Sequence, residues 1–332
     1  MGQSVSTEAD AATASAPRAR KQRTKPVVTE INIYPIKSCS EIGVESAAVT
    51  SFGFEGDRRL QVVARLNGNG NWVYCTPRNK ACERLFHVKP SLGEDGKLRL
   101  SSKHARGRDF VLDTNVETKP LKCSVMGDEE HSEMVDYGDD VASWLQKATM
   151  IADCRLVGMG KEFKRTMQVN ADQGEALPSL DLPVSLADEA PFLLCAEESL
   201  ADLNRRLTAE DKKPVDMRRF RPNIVISGLR PYEEDTPKRI KIGSVEFVVW
   251  QRCGRCIMTT IDRDSLNRRG GEPLKTLGTY RERANGQRNF GVHLFPSSVG
   301  GSSSIKVGDK VEVLEFDDDR LIEWKQKHLT WK

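Results

Sequence analysis

Short runs of β-branched and aromatic residues, each broken by Gly, Asn, Asp or Pro, constrain this chain more than any other feature. Val28-Thr29-Glu30-Ile31-Asn32-Ile33-Tyr34 alternates apolar and polar positions, as a half-buried strand does. Leu60 to Leu66 faces Trp72-Val73-Tyr74 across Asn67-Gly68-Asn69-Gly70, a hairpin in which glycine serves the turn. Further strands are expected at Leu98 to Leu100, Phe110 to Leu112 and Leu121 to Val125, then at Asn223 to Ile226, Arg239 to Ile242, Val245 to Trp250, Ile257 to Ile261 and Val311 to Leu314. Helices are expected from Asp139-Asp140 through Leu145, over Glu197 to Leu207 with apolar spacing at Leu200, Leu203 and Leu207, and from Asp317 to Trp331. Residues 170–183 read as a loop. The pattern is α+β and β-rich: barrels or small sandwiches with peripheral helices.

Composition excludes several function classes. The chain has 332 residues and 38% hydrophobic content, enough for two core-bearing regions. Its 51 basic and 48 acidic residues leave a net charge of +3, too little to argue for nucleic acid. Any anion binding is therefore local. The eight cysteines occur without a secretory signal or an apolar run long enough to span a bilayer, so a reduced, cytosol-facing protein with no transmembrane helix is expected. Residues 1–26 contain almost no large apolar side chain and read as a disordered tail. That tail begins with Met1-Gly2-Gln3-Ser4-Val5-Ser6, an N-myristoylation pattern at Gly2, followed by basic Arg18, Arg20, Lys21, Arg23 and Lys25. Peripheral attachment to a membrane, the mitochondrial outer membrane or another, is one reading. A plain solvated tail and a transit peptide, the latter disfavoured by Glu8 and Asp10, are the others.

The chemistry centres on Arg252-Cys253-Gly254-Arg255-Cys256. A thiolate is a soft metal ligand, and arginine beside it draws anions. A closed zinc site needs a second close pair of ligands, which the sequence lacks. A thioredoxin-like pair needs its first cysteine at a helix start, whereas Ile257 to Ile261 reads as a strand. A cysteine hydrolase needs one of His87, His104, His131, His293 or His328 beside Cys256, and these five lie far apart in sequence. Basic residues also stand at three strand ends: Lys37 with Ser38, Arg58 after Asp57, and Arg221 before Pro222-Asn223. If they converge with Arg255, they suit a phosphate; if not, they are solvated charges.

The set Tyr34-Pro35-Ile36-Lys37-Ser38-Cys39, Gly56-Asp57-Arg58, Phe220-Arg221-Pro222-Asn223-Ile224, Arg255-Cys256-Ile257-Met258-Thr259-Thr260-Ile261-Asp262 and Ile305-Lys306-Val307-Gly308-Asp309 resembles, in order, the molybdenum cofactor sulfurase C-terminal (MOSC) family. More narrowly, it looks like the amidoxime-reducing component branch, over roughly residues 27–316. The resemblance implies a MOSC N-terminal β-barrel-like domain at 27–150, a MOSC β-barrel domain at 151–316 and a closing helix at 317–332. It implies a molybdenum cofactor (Mo-molybdopterin) with Cys256 as catalytic thiolate ligand to the metal. Lys37, Ser38 and Arg58 would bind the cofactor's phosphate end, and Arg221, Asn223, Gly254 and Arg255 would hold the pterin. His293 stands where relatives often carry a tyrosine lining the site.

The implied reaction is reduction of small N-hydroxylated substrates (amidoximes, hydroxylamines, N-hydroxylated bases) to N–H products, with nitrite reduction to nitric oxide as a second activity. Electrons would come from NADH through NADH-cytochrome b5 reductase and cytochrome b5, since the chain carries no nicotinamide or flavin fingerprint of its own. A cofactor carrier or sulfuration-related role without turnover is the alternative. A monomer is expected.

Overall fold

The computed structural model describes residues 25–66, 70–113, 119–126, 131–160, 162–168, 181–297 and 303–320. Gly2 with its tail, Gly68 and residues 321–332 of the expected closing helix lie outside these; residues 318–320 are helical.

Two antiparallel-rich sheets organise the chain. The larger has eight strands in the order Ile42–Val44, Val27–Ile33, Ile224–Ser227, Phe192–Ala196, Arg288–Pro296, Val245–Arg255, Pro237–Ile242 and Val311–Phe316. One face buries Val28, Ile31, Phe192, Leu194, Ile224, Ile226, Phe247 and Leu294; a register irregularity between Val28 and Glu30 lets Val28 and Ile31 share it, and the central strands are also covered on their other face, at Leu193, Cys195 and Val225. Its one parallel pairing, Phe192–Ala196 beside Ile224–Ser227, needs a crossover. The helix Glu197–Ala209 lies within that connection and buries Ser199, Leu203 and Leu207.

The second sheet runs Pro120–Ser124, His131–Asp136, Cys154–Met159, Leu60–Ala64 and Val73–Tyr74. Its expected hairpin pairs Val63 with Tyr74 and Ala64 with Val73. The helix Asp139–Thr149 begins on two carboxylates and buries Val141, Ala142, Trp144, Leu145 and Ala148 toward this sheet. A three-stranded sheet, Lys89–Leu92, Leu98–Ser101 and Phe110–Leu112, completes this half.

Sequence order and sheet order part company at two places. Val27–Ile33 sits in the sheet otherwise made mainly from residues 192–316, and Cys154–Met159 sits in the sheet made from residues 60–136. Each half thus contributes a strand to the other's neighbourhood.

Two local expectations are corrected, and one element was not foreseen. Ile257–Thr260 is a 3-10 turn, not a strand: the hydroxyls of Thr259 and Thr260 donate back to the carbonyls of Cys256 (2.9 Å) and Ile257 (2.8 Å), which tightens the backbone. Asp181–Pro183, placed within a loop, pairs as a short strand with Thr166–Gln168. Lys80–His87 forms a 3-10 segment started by Asn79, whose Oδ1 accepts from Ala81 N at 3.0 Å.

Candidate metal and anion site

The strand Val245–Arg255 is longer than its apolar pattern and carries two irregularities against Arg288–Pro296, between Val249 and Gln251 and between Arg252 and Gly254. Such bulges re-aim side chains beside a site. Here the second one falls at Cys253, just before Arg255 and Cys256. Cys253 is 6% exposed and accepts a hydrogen bond from Arg255 Nη1 at 2.8 Å. Burial pushes its thiol pKa up, against the pull of Arg255. Cys256 alone among the eight cysteines is not buried. The pair therefore divides into an inner thiol that holds an arginine and an outer one that is available.

The basic residues at distant strand ends do meet. Arg58 Nη1 reaches Asp57 Oδ2 (2.5 Å) and Asn223 Oδ1 (3.0 Å), and its Nη2 donates to Arg221 O at 3.4 Å. Both guanidinium groups stand over the Tyr34 ring, Arg58 at 4.7 Å and Arg221 at 4.3 Å from its centroid. Burial and the nearby Arg263 push Arg221 down to about 10. Lys37, 6% exposed, lies 2.9 Å from Asp188 Oδ1, and burial lowers its pKa against the carboxylate's pull. Arg78 takes the other Asp188 oxygen at 3.2 Å, and against burial Cys256 and Asp188 hold its guanidinium pKa up. A chain of ion pairs thus runs from Arg78 through Asp188 to Lys37.

Backbone strain marks the same residues. Ser38, Arg58 and Arg221 adopt φ of 70°, 48° and 58°, the left-handed region that costs about 1 kcal/mol or more outside glycine. Three such residues in one cluster show that the surrounding contacts dictate the backbone there.

The other expected residues take distinct positions. Ser38 Oγ donates to Cys75 O at 3.3 Å. Asn223 acts as a brace: Oδ1 accepts from Arg58 and from Leu193 N, and Nδ2 donates to Asn32 O. Arg255 sends Nη2 to Phe220 O at 2.6 Å, while its buried Nε has no partner among the described residues. A Cβ on Gly254 would come within 3.1 Å of Gln287, so this glycine admits a close strand-to-loop approach. His293 Nδ1 lies 3.3 Å from Glu189 Oε2, and Trp250 stacks beside its ring. Burial, opposed by Glu189 and reinforced by Arg255, pushes His293 down to about 4.

Arg78, Asp188 and Glu189 were absent from the sequence reading. An acidic pair inside the otherwise apolar segment from Val184 to Phe192 was the available signal for two of them. No group of three or more His, Cys, Asp or Glu side chains suited to a metal occurs among the described residues. A metal held here would rest on one protein thiolate and on ligands brought by a cofactor.

Comparison with known proteins gives the family. The family model described as "MOSC N-terminal beta barrel domain" matches residues 25–151, and that described as "MOSC domain" matches residues 181–312. "Mitochondrial amidoxime reducing component 2" of Bos taurus is 34% identical over 89% of this chain and 85% of its own. "Mitochondrial amidoxime-reducing component 1" of Mus musculus is 36% identical over 80% of this chain and 74% of its own. A "Molybdenum cofactor sulfurase" of Oryza sativa subsp. japonica is 32% identical over 80% of this chain but only 32% of its own length. With both halves matched by family models, and relatives at this identity along most of both chains, the protein belongs to the MOSC family and is similar throughout to the mitochondrial amidoxime-reducing components.

Proposed function

We propose that this chain is a molybdenum-dependent reductase of N-hydroxylated compounds. The observation that carries the proposal is the single accessible thiol, Cys256, next in sequence to Arg255, whose buried Nε has no partner among the described residues, with Lys37, Arg58 and Arg221 also held as buried cations. A soft ligand next to guanidinium and ammonium groups fits a metal cofactor bearing a phosphate. When bound, a molybdenum cofactor supplies a centre for two-electron exchange with oxygen-atom transfer.

The chain's own residues supply the rest. Cys256 holds the metal; Lys37 and Arg58 neutralise phosphate charge, with Asp57 and Asn223 fixing the guanidinium. Arg255 presents its unpaired Nε from a position held by Cys253 and Phe220. Converting R–NHOH to R–NH2 and water consumes two electrons and two protons. His293, kept as a neutral imidazole by burial, and Glu189, 3.3 Å from it, add a polar pair to the site. Electrons come from NADH by way of cytochrome b5 reductase and cytochrome b5.

Metal and pterin analysis of purified protein tests the reading, alongside NADH consumption with benzamidoxime when both cytochrome b5 partners are supplied. Wild type should contain molybdenum and turn over, and Cys256→Ala should lose activity by about a hundredfold or more. Protein that lacks molybdenum and pterin would overturn the proposal. Loaded protein without turnover would instead point to a cofactor carrier.

A further inference from the structure

A cavity of about 290 Å³ lies on the seam between the two halves, and none of the residues proposed above to hold the cofactor lines it. One wall comes from the 3-10 segment and three-stranded sheet, through His87, Lys89, Ser102 and Lys103; the other comes from Arg218, Arg263 and Asp264. Its lining is polar, and its volume is near the lower end for small-molecule sites.

Charge within it is arranged in two kinds. Arg263 forms the back: it is 6% exposed, sits over the Phe86 ring, pairs with Glu41 at 3.1 Å, and has a buried Nη2 without a partner among the described residues. At the rim, Lys103 Nζ donates to the backbone oxygen of Asp264, at 3.0 Å, and forms no ion pair among the described residues, so its charge is available to a ligand. Lys89 is exposed on the same wall, and Arg218 spans Asp216 (2.8 Å) and Asp264 (3.4 Å) with one nitrogen. Asp109 and Asp264 add carboxylates to the lining. His87 is committed: Nε2 faces the Asp264 carbonyl at 3.1 Å and so carries the proton, which leaves Nδ1 to accept from His104 Nε2 at 2.8 Å. His87 thereby ties the two walls together.

We propose that this seam cavity is a second ligand site, for the phosphate monoester of a small hydroxylated molecule. Lys89, Lys103 and Arg218 take the phosphate as point charges and a fork, with Arg263 behind them. The carboxylates of Asp109 and Asp264 accept from the ligand's hydroxyls, and the seryl hydroxyls serve either part. A purely anionic site would not place two carboxylates in the lining; a ligand with both an acceptor-rich and a donor-rich end satisfies both sets. Arg263 also repels Arg221, so an anion here reduces repulsion within the cluster around Tyr34.

Titration calorimetry of the purified, cofactor-bearing protein tests the site, with inorganic phosphate, glycerol 3-phosphate and glycerol as probes at constant ionic strength. Saturable binding is expected for both phosphates, tighter for glycerol 3-phosphate, with none for glycerol. The double variant Lys103→Ala/Arg218→Ala, at exposed positions, should weaken both by about tenfold or more while molybdenum content stays unchanged. Lys103→Arg should keep binding, and Asp109→Ala should remove the preference for glycerol 3-phosphate. No saturable heat, or equal affinity in the double variant, would overturn the proposal.

Discussion

At the scale of single residues, two groups carry most of the testable weight. Asp57 is fully buried and binds both Tyr34 N (2.7 Å) and Arg58. Asp57→Ala strands a buried guanidinium, and a loss of roughly 3–5 kcal/mol is expected in denaturant unfolding. His293 gives a pH signature. Its folded pKa of about 4 lies below the ordinary 6.5, so the unfolded chain takes up the proton first as pH falls. Stability should therefore be complete above about pH 6.5 and decline toward pH 4. His293→Gln should flatten that slope, read by thermal unfolding across the same window. Glu234 runs the other way. Burial and Asp235 raise it to about 8, while Ser199 Oγ lies 2.6 and 2.8 Å from its two oxygens. The folded state thus binds the proton more tightly than the unfolded chain, so this contribution is full below about pH 4.5 and is lost progressively as pH rises to about 8. Glu234→Gln should flatten stability across that window.

Elements translate these residues into a site. The crossing of Arg288–Pro296 past Phe192–Ala196 depends on Gly291, with φ of 76°, where a Cβ would lie 2.6 Å from both Leu194 O and Cys195 Sγ. Gly291→Ala should cost about 2–4 kcal/mol, measured by denaturant midpoint. Strand identity was legible because burial on one face imposes period two, as at Ile240 and Ile242; the helix at Glu197–Ala209 was legible through Leu203 and Leu207. The turn after Cys256 was not. Its threonines suit a strand by side-chain shape and leave it through their hydroxyls, a choice that composition alone does not reveal. Of the site, Cys256 and the strand-end cations could be named, whereas Arg78 and Asp188 lie in connecting segments whose meeting depends on three-dimensional closure.

The whole molecule is bound by strand exchange. A fragment beginning at residue 151 would lack Val27–Ile33 and expose the edge at Ile224 and Ile226, while also removing Leu60–Ala64 from beside Cys154–Met159. Such a fragment should show no cooperative unfolding transition by circular dichroism. The cofactor cluster depends on the same closure, since Lys37 and Arg58 come from one half and Arg221 and Arg255 from the other. Exchange also sets a schedule during synthesis. Thr29 bonds to Val225, 196 residues later, and a ribosome needs roughly 10–40 s to cover that distance. Through that interval the first strand has Ile42–Val44 to pair on one edge and nothing yet for the other, an open edge that neighbouring newborn chains could meet.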